Sequence, residues 1–418
     1  MHINPTNPPT EHNDKKSMAL FALSALFSLF FIWGFITALN DILLPFLKAA
    51  FDLSYLEAGL VQFCFFIAYF VVSPFAGRLL DDIGYKKGII VGLLTIAAGC
   101  CLFYPAAALE IYALFLFALF VLASGIAFLQ VSANPYVAVL GPEKTAASRL
   151  NLAQATNSVG HTIGPYFGAT LILANMSEQG ENAATAVQMP YILIAVFAIV
   201  IALVFSRLKL PNIGEHLKQV ESSGALTIKS HPHLTFGVVG IFLYVGAEVA
   251  VGSYLVNYFM QMDGIEMDNV TAGKMVSYYW LSAMAGRFIG AALTRYISAT
   301  YVLAFNSVFA IIMIVFSINT TGNTAIWSIL LVGLFNSIMF PTIFALAIRG
   351  LGEHTGKGSG FLCQAIVGGA IVPMLQGFAA DAISLKLSFI VPAACYGYIL
   401  WYALKGANYS QADTRGDA

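Results

Sequence analysis

The chain has 418 residues, of which 59% are hydrophobic and only 10% are charged, and its formal net charge is −1. Because soluble domains are roughly half apolar and a quarter charged, this composition excludes an ordinary soluble domain and indicates a polytopic membrane protein. The near-zero net charge gives no indication of a nucleic-acid partner, so the surface partner that we expect is the lipid bilayer.

Apolar runs separated by short polar turns predict an all-α membrane protein with twelve transmembrane helices. About 20 apolar residues in a helix cross the ~30 Å hydrocarbon core of a bilayer. We place the spans at residues 19–47, 56–80, 88–108, 112–140, 149–174, 189–207, 233–261, 271–297, 300–318, 324–350, 357–381 and 386–405.

The longest polar connection, residues 208–232, divides these spans into six and six. We therefore expect one six-helix bundle at 19–207, a second at 233–405, and polar tails at 1–18 and 406–418. Of the 20 Lys and Arg residues, 16 fall on the side that holds both tails, three on the opposite side and one inside a helix. Since short cytoplasmic loops carry the excess of Lys and Arg, both termini are predicted to be cytoplasmic.

The two halves share a short segment. Leu140–Thr145 ends the fourth span and Leu351–Thr355 follows the tenth, and in each half a glutamine, Gln154 or Gln364, stands nine residues after the threonine. Transporters are often built from internal repeats with the substrate site at their interface, so this pattern favours a central site between the two bundles.

A carboxylate, Asp41, stands deep in the first apolar run. An aspartate at mid-bilayer costs roughly 2.5–3.5 kcal/mol on insertion scales, and such acids usually face a water-filled cavity and handle an ion or a substrate. Thr37 lies four residues earlier, on the same helical face. The pair could carry a proton with water or ligate Na⁺ through hard oxygens, and both coupling ions stay open.

Enzymatic chemistry is not indicated by any cluster of residues. The five cysteines lie in apolar runs without metal-ligand spacing. We find no Ser/His/Asp constellation and no phosphate-binding loop, so we expect neither catalytic residues, nor a metal centre other than Na⁺ at Asp41, nor a cofactor.

The segment 77–87 between the second and third spans resembles the G-x-L-x-D-x-x-G-x-K-x cytoplasmic loop of the major facilitator superfamily. Two glycines permit a tight turn, and the aspartate can bridge helix ends against cations. Asp82 and Tyr85 replace two arginines that are usual in that signature. The resemblance assigns a gating loop to Gly77, Asp81, Gly84 and Lys86.

Further blocks resemble the L-fucose/proton symporter family within this superfamily. They are residues 39–45, 133–143, 149–154 with Asn157, 286–288 and 340–344. The resemblance implies a bacterial inner-membrane symporter in which a first-span aspartate and a fourth-span glutamate serve proton coupling and sugar binding.

The chain departs from that pattern at the second acid. The fourth-span position is the neutral Gln130, while the seventh span carries Glu248. Both surroundings resemble the glucose/galactose permease branch of the family. We therefore assign cation coupling to Asp41, Glu248 and Thr37. A purely structural network of Asp41 and Glu248 with Arg287, the deep cation, is the alternative.

Polar and aromatic side chains at helical spacing are candidates for sugar contacts. Gln154, Asn157 and His161 form a stripe at i, i+3 and i+7. Amides donate and accept hydrogen bonds, as a polyhydroxylated sugar requires, although they also join helices within membranes. The full candidate set is Asn40, Gln130, Gln154, Asn157, Trp280, Arg287, Asn336 and Gln364.

Together these features predict a major facilitator fold that works as a monomer. The predicted function is symport of a hexose or N-acetylhexosamine into the cell, coupled to H⁺ or Na⁺, by alternating access to a central cavity. An efflux antiporter of the same fold and a transport-inactive sugar sensor are the alternatives. In the proposed cycle, neutralisation of Asp41, with Glu248 as a second candidate, favours sugar binding.

Overall fold

The structure is a computed structural model that describes residues 21–38, 55–168, 188–208, 210, 231–262, 265 and 267–408. These residues form twelve helices long enough to cross a membrane. They are α1 Phe21–Ala38, α2 Tyr55–Ile83, α3 Tyr85–Leu109, α4 Tyr112–Val139, α5 Ala146–Gly168, α6 Gln188–Arg207, α7 Pro232–Met260, α8 Asn269–Tyr296, α9 Ala299–Asn319, α10 Gly322–Ala347, α11 Gly352–Ala382 and α12 Leu385–Asn408.

Ten of these helices are apolar enough to be recognised as membrane spans by composition alone. The two others, α5 and α8, carry the polar candidates Gln154, Asn157 and Arg287 together with further polar residues, which lower their hydropathy without shortening them. The all-α fold predicted from the apolar runs is confirmed. The expected linker lies almost entirely outside the described residues, as do both tails except for a few residues at the end of α12.

Helices α10 and α11 are interrupted within their length. Helix α10 consists of Gly322–Asn336 and Met339–Ala347, with Ser337 and Ile338 between them. Helix α11 contains a 3₁₀ turn at Ala365–Val367. A 3₁₀ stretch or a missing bond inside a helix exposes backbone carbonyls that other groups can use.

The two halves are in contact at one end of the bundle. We call this end the lower face; it carries the α2–α3, α4–α5 and α10–α11 turns, at Gly84, Gly141 and Gly350. Helix α2 packs on α11, and α5 packs on α8 and α10. The opposite end is called the upper face.

Hydrogen bonds, close packing at glycines and an ion pair close the lower face. The hydroxyl of Ser148 donates to the carbonyl of Ala291 at 2.6 Å. The amide of Asn151 donates to Thr342 Oγ1 at 3.2 Å, and Asn151 is fully buried. Glycines allow α2 and α11 to approach closely, and an ion pair joins Asp81 to α11. The central cavity therefore lies on the upper side of a closed seam.

Candidate functional site

A cavity of about 950 Å³ lies between the two halves, above the closed lower face. Its walls come from both bundles, and they extend upward to Leu60, Ser253 and Met374. Seven of the residues predicted from the sequence line it. They are Thr37, Gln130, Gln154, Asn157, Glu248, Trp280 and Arg287.

An ion pair forms the polar centre of the second-half wall. Arg287 Nη2 lies 3.5 Å from Glu248 Oε1, and the two side chains are only 16% and 13% exposed. Tyr244, one turn earlier on α7, donates its hydroxyl to the same carboxylate oxygen at 2.8 Å. Within the described part of the chain, this is the one ion pair whose partners both line the cavity.

The Arg287 guanidinium also reaches beyond this pair. Its Nε donates to the carbonyl of Ser337 at 3.3 Å, in the interruption of α10. Its Nη1 donates to Ser158 Oγ on α5, which belongs to the other half. One side chain thus joins Glu248, α10 and the first bundle at the cavity wall.

Three amides, Gln130, Gln154 and Asn157, stand in the first-half wall among aromatic and aliphatic side chains. Gln154 Nε2 donates to Asn134 Oδ1 at 3.2 Å, and Asn157 Nδ2 donates to the carbonyl of Phe30 at 3.0 Å. The Cys363 thiol of α11 faces Gln130 Oε1 at 4.0 Å. These bonds fix the amide orientations, so the wall presents ordered donors and acceptors to the cavity.

Thr37 and Trp280 line the cavity from opposite halves. The Thr37 hydroxyl donates to the carbonyl of Trp33 at 2.9 Å within α1. Trp280 is 41% exposed, and its ring centroid lies 5.1 Å from that of Tyr279 in an edge-on arrangement. Asn40 and Asp41, the other candidates of the first span, lie outside the described residues.

Two predicted residues do not line the cavity. Asn336 is fully buried, and its amide donates to the hydroxyls of Tyr279 at 2.7 Å and Tyr396 at 3.0 Å. Gln364 Nε2 instead donates to the carbonyl of Phe70 on α2 at 3.1 Å. The placement of these two candidates at the cavity is corrected, because α10 directs Asn336 toward Tyr279 and α11 directs Gln364 toward α2.

The four residues of the predicted gating loop have two different roles, and two of them, Asp81 and Gly77, contact α11. Asp81 lies 3.8 Å from Lys357 Nζ of α11, across the seam. A Cβ at Gly77 would lie 2.6 Å from the carbonyl oxygen of Gly356, so only glycine permits this approach.

The other two residues of the loop act within the first half. Gly84 immediately precedes α3 and has a φ of 80°, a backbone conformation that favours glycine. Lys86 Nζ donates to the carbonyls of Ser206 and Leu208, each at 2.8 Å, and thereby caps the end of α6. Lys86 therefore stabilises its own bundle and does not bridge the seam.

Sequence reasoning missed Ser158 and Pro341 as wall residues. Ser158 could have been found, because Gln154, Ser158 and His161 follow an i, i+4, i+7 pattern on one face of α5. Pro341 gave no such signal. Among the described residues, no group of three or more His, Cys, Asp or Glu side chains could hold a metal ion.

The chain resembles known transporters over most of its length. A family model described as Major Facilitator Superfamily matches residues 21–365. A glucose/galactose transporter of Brucella abortus is 53% identical over 97% of this chain and 98% of its own length. A putative glucose/galactose transporter of Helicobacter pylori is 45% identical over 94% of this chain and 98% of its own length.

Solved structures agree with these relatives. A crystal structure of the Escherichia coli fucose:proton symporter FucP has a TM-score of 0.84 and 34% identity, covering 93% of this chain and 98% of that chain. A FucP structure described as being in the outward conformation gives a TM-score of 0.83 at 34% identity, covering 93% of this chain and 99% of that chain. The resemblance inferred from the motifs is confirmed, and the fold is that of transporters and not of enzymes: the chain belongs to the Major Facilitator Superfamily.

Proposed function

We propose that this protein is a secondary active transporter that carries a hexose into the cell together with a cation. The observation that carries the proposal is the cavity between the bundles, with three amides on its first-half side and an ion pair on its second-half side. The names of the relatives at 53% and 45% identity support a substrate of the glucose/galactose type. A volume of about 950 Å³ lies within the range of small-molecule sites.

The chemistry of the walls suits a hydroxylated substrate. Gln130, Gln154 and Asn157 offer amide donors and acceptors, and Glu248 offers carboxylate lone pairs to sugar hydroxyls. Trp280 presents an aromatic surface on which a pyranose ring can pack. A lipophilic substrate would leave these polar groups desolvated and unpaired, at a cost in affinity.

Transport would follow if the lower and the upper face of the cavity closed in turn. We infer that the lower face is cytoplasmic, with both termini on that side, as the Lys and Arg distribution favours. The closed seam then corresponds to a state that receives sugar from outside. The bundles at 19–207 and 233–405, joined by 208–232, would rock about the central site as a monomer in the bacterial inner membrane.

We assign the coupling of sugar transport to H⁺ mainly to protonation of Asp41. Glu248 already pairs with Arg287, so that pair is neutral as a whole, and the first-span aspartate is the acid to which the family resemblance assigns proton coupling. A bare carboxylate would resist reorientation through the apolar core, and its protonation would release the bundles. The Escherichia coli and Haemophilus influenzae relatives described as fucose–proton symporters support H⁺.

The decisive experiment is uptake into proteoliposomes. Radiolabelled glucose, galactose, fucose and N-acetylglucosamine are tested with an imposed pH gradient and, separately, with an imposed Na⁺ gradient; protein-free liposomes are the control. We expect glucose or galactose to accumulate with the pH gradient alone, and Asp41→Asn to abolish accumulation. Dependence on Na⁺ would reassign Asp41 and Thr37 as ion ligands.

The same assay tests the alternatives. Sugar binding without accumulation of any sugar would indicate a sensor. Inhibition of sugar binding by lipophilic cations, together with no sugar uptake, would indicate an efflux antiporter. Either result would overturn the proposed function.

A further inference from the structure

A proline in the cavity wall leaves one backbone carbonyl without its helical partner. In an α-helix the carbonyl of residue i accepts from the amide of residue i+4, and proline has no amide hydrogen. Pro341 therefore cannot satisfy the carbonyl of Ser337, four residues earlier. The helix is interrupted there, at Ser337 and Ile338.

Arg287 supplies the missing donor. Its Nε donates to the Ser337 carbonyl at 3.3 Å. A buried backbone carbonyl is costly to leave unpaired, so the vacated site and the guanidinium stabilise each other. Because Nε lies at the base of a planar and rigid fork, a bond at Nε fixes the plane of the whole guanidinium.

The fixed plane determines where the other two nitrogens point. Nη2 faces Glu248 Oε1 at 3.5 Å. Nη1 donates to Ser158 Oγ, on the first bundle. Without the bond at Nε, the guanidinium could rotate and hold only one of these partners at a time.

The neighbouring glycine makes this arrangement possible. A Cβ at Gly286 would collide with the Ser337 side chain and with the carbonyl oxygen of Leu334. Its absence lets α8 lie against the interruption of α10, which brings Arg287 beside the vacated carbonyl.

We propose that Pro341 and Ser158 are positioning residues for Arg287 in the sugar site: Pro341 acts by vacating the Ser337 carbonyl, and Ser158 by accepting from the guanidinium across the two halves. The inference rests on the proposed function, because it assigns Arg287 to sugar binding. It adds two residues to that site and gives each a defined atom through which it acts.

The test is a double-mutant cycle on the purified full-length protein. Glucose and galactose affinities are measured by titration calorimetry for wild type, Pro341→Ala, Arg287→Lys and the double variant. Lysine keeps the charge but has no Nε–H. We expect Pro341→Ala alone to weaken affinity by roughly tenfold, as for loss of a hydrogen bond to a charged group. In the Arg287→Lys background the same change should weaken it less than about twofold.

Pro105→Ala is the matched control, because Pro105 lies inside α3 and away from the cavity. Its effect should be the same in both backgrounds. Ser158→Ala provides a second cycle with Arg287→Lys, and it should also be non-additive. Additive effects of Pro341→Ala and Ser158→Ala with Arg287→Lys would overturn the inference.

A readout without sugar separates this inference from the proposed function. Melting temperatures of the same variants are measured in the absence of ligand. If wild type binds neither sugar, the proposed function fails, and the melting temperatures still decide whether Pro341 acts through Arg287. Shifts that add in the double variant would refute the positioning role, whatever the substrate.

Discussion

At the scale of single residues, Arg149 organises the end of α4. Its Nε donates to the carbonyl of Val137 at 3.1 Å and its Nη2 to that of Ala138 at 2.5 Å. Its Nη1 donates to the carbonyl of Pro142 at 3.0 Å and to Thr145 Oγ1 at 2.6 Å. The last carbonyls of a helix lack intrahelical donors, and a single guanidinium satisfies two of them.

We expect Arg149→Lys to lower the stability of the protein by about 1–3 kcal/mol, because an ammonium cannot reach all four oxygens. The measurement is thermal or denaturant unfolding of the protein in detergent. Lys144→Ala, an exposed change in the same turn, should alter stability by less than about 0.5 kcal/mol. Equal stability of Arg149→Lys and wild type would contradict this role.

Glu248 carries the second prediction at this scale. We expect Glu248→Gln to reduce sugar uptake by more than about tenfold, because it leaves the Arg287 charge unpaired in a site where both side chains are largely buried. Tyr244→Phe removes only the hydroxyl that donates to Glu248, and its effect should be smaller. Initial uptake rates in proteoliposomes provide the comparison. If Tyr244→Phe were the more damaging change, the ion pair would not be the main determinant.

At the scale of helices, prolines leave backbone carbonyls without helical donors, and these carbonyls can accept hydrogen bonds from other helices. Pro74 in α2 vacates the carbonyl of Phe70, just as Pro341 vacates that of Ser337. Gln364 of α11 donates to the Phe70 carbonyl at 3.1 Å, so this bond joins the two halves. It lies one turn from Gly360, whose Cα is within 3.0 Å of a Cβ placed on Gly77. Close packing and one cross-half hydrogen bond thus close α2 against α11.

Gln364→Leu should loosen this contact and increase the population that is open at the lower face. Cys363 is fully buried next to the contact and can report on it. In a variant that keeps Cys363 as its one cysteine, we expect maleimide labelling to become several-fold faster. Gln188→Leu is the control, because Gln188 donates to the Tyr104 carbonyl within one half. An unchanged labelling rate would mean that the Gln364 bond does not hold the seam.

At the scale of the whole molecule, the closed seam is held mainly by neutral groups. The Lys357–Asp81 and Arg349–Glu143 pairs are each 3.8 Å apart and partly exposed, so they contribute little to closure. The bonds of Ser148 and Asn151 to the second half join neutral groups at 2.6 Å and 3.2 Å, and Asn151 is fully buried. Such a seam can open without separating strongly paired charges.

A reversible cross-link across the seam should therefore stop transport. In a cysteine-free background, the double variant Ser148→Cys and Ala291→Cys puts one thiol on each of the two residues that now meet, where the Ser148 hydroxyl donates to the Ala291 carbonyl at 2.6 Å. We expect oxidation to abolish uptake while sugar binding persists, and reduction to restore uptake. Each single variant under the same oxidant is the control. Normal uptake by protein that mass spectrometry shows to be cross-linked would disprove alternating access through this seam.

Local chemistry was sufficient to predict the helices and several wall residues. Runs of apolar residues specify membrane helices because every backbone polar group must be satisfied within the helix. Glu248 and Arg287 stood out because charged groups are rare in such runs, and both line the cavity. The amides of α5 followed from helical spacing.

The remaining features depended on the tertiary structure. Asn336 was predicted at the cavity, yet its amide donates to two tyrosine hydroxyls, just before the interruption of α10 at Ser337 and Ile338. The contact of Ser158 with Arg287 joins residues that are 129 positions apart in the chain, so helical spacing could place Ser158 on the wall but could not give its partner. The sequence by itself determined which segments are helices and which carry charge, because those properties are local. Only the tertiary structure decided which polar groups meet, because a proline-vacated carbonyl can be satisfied by any donor that the fold brings within reach.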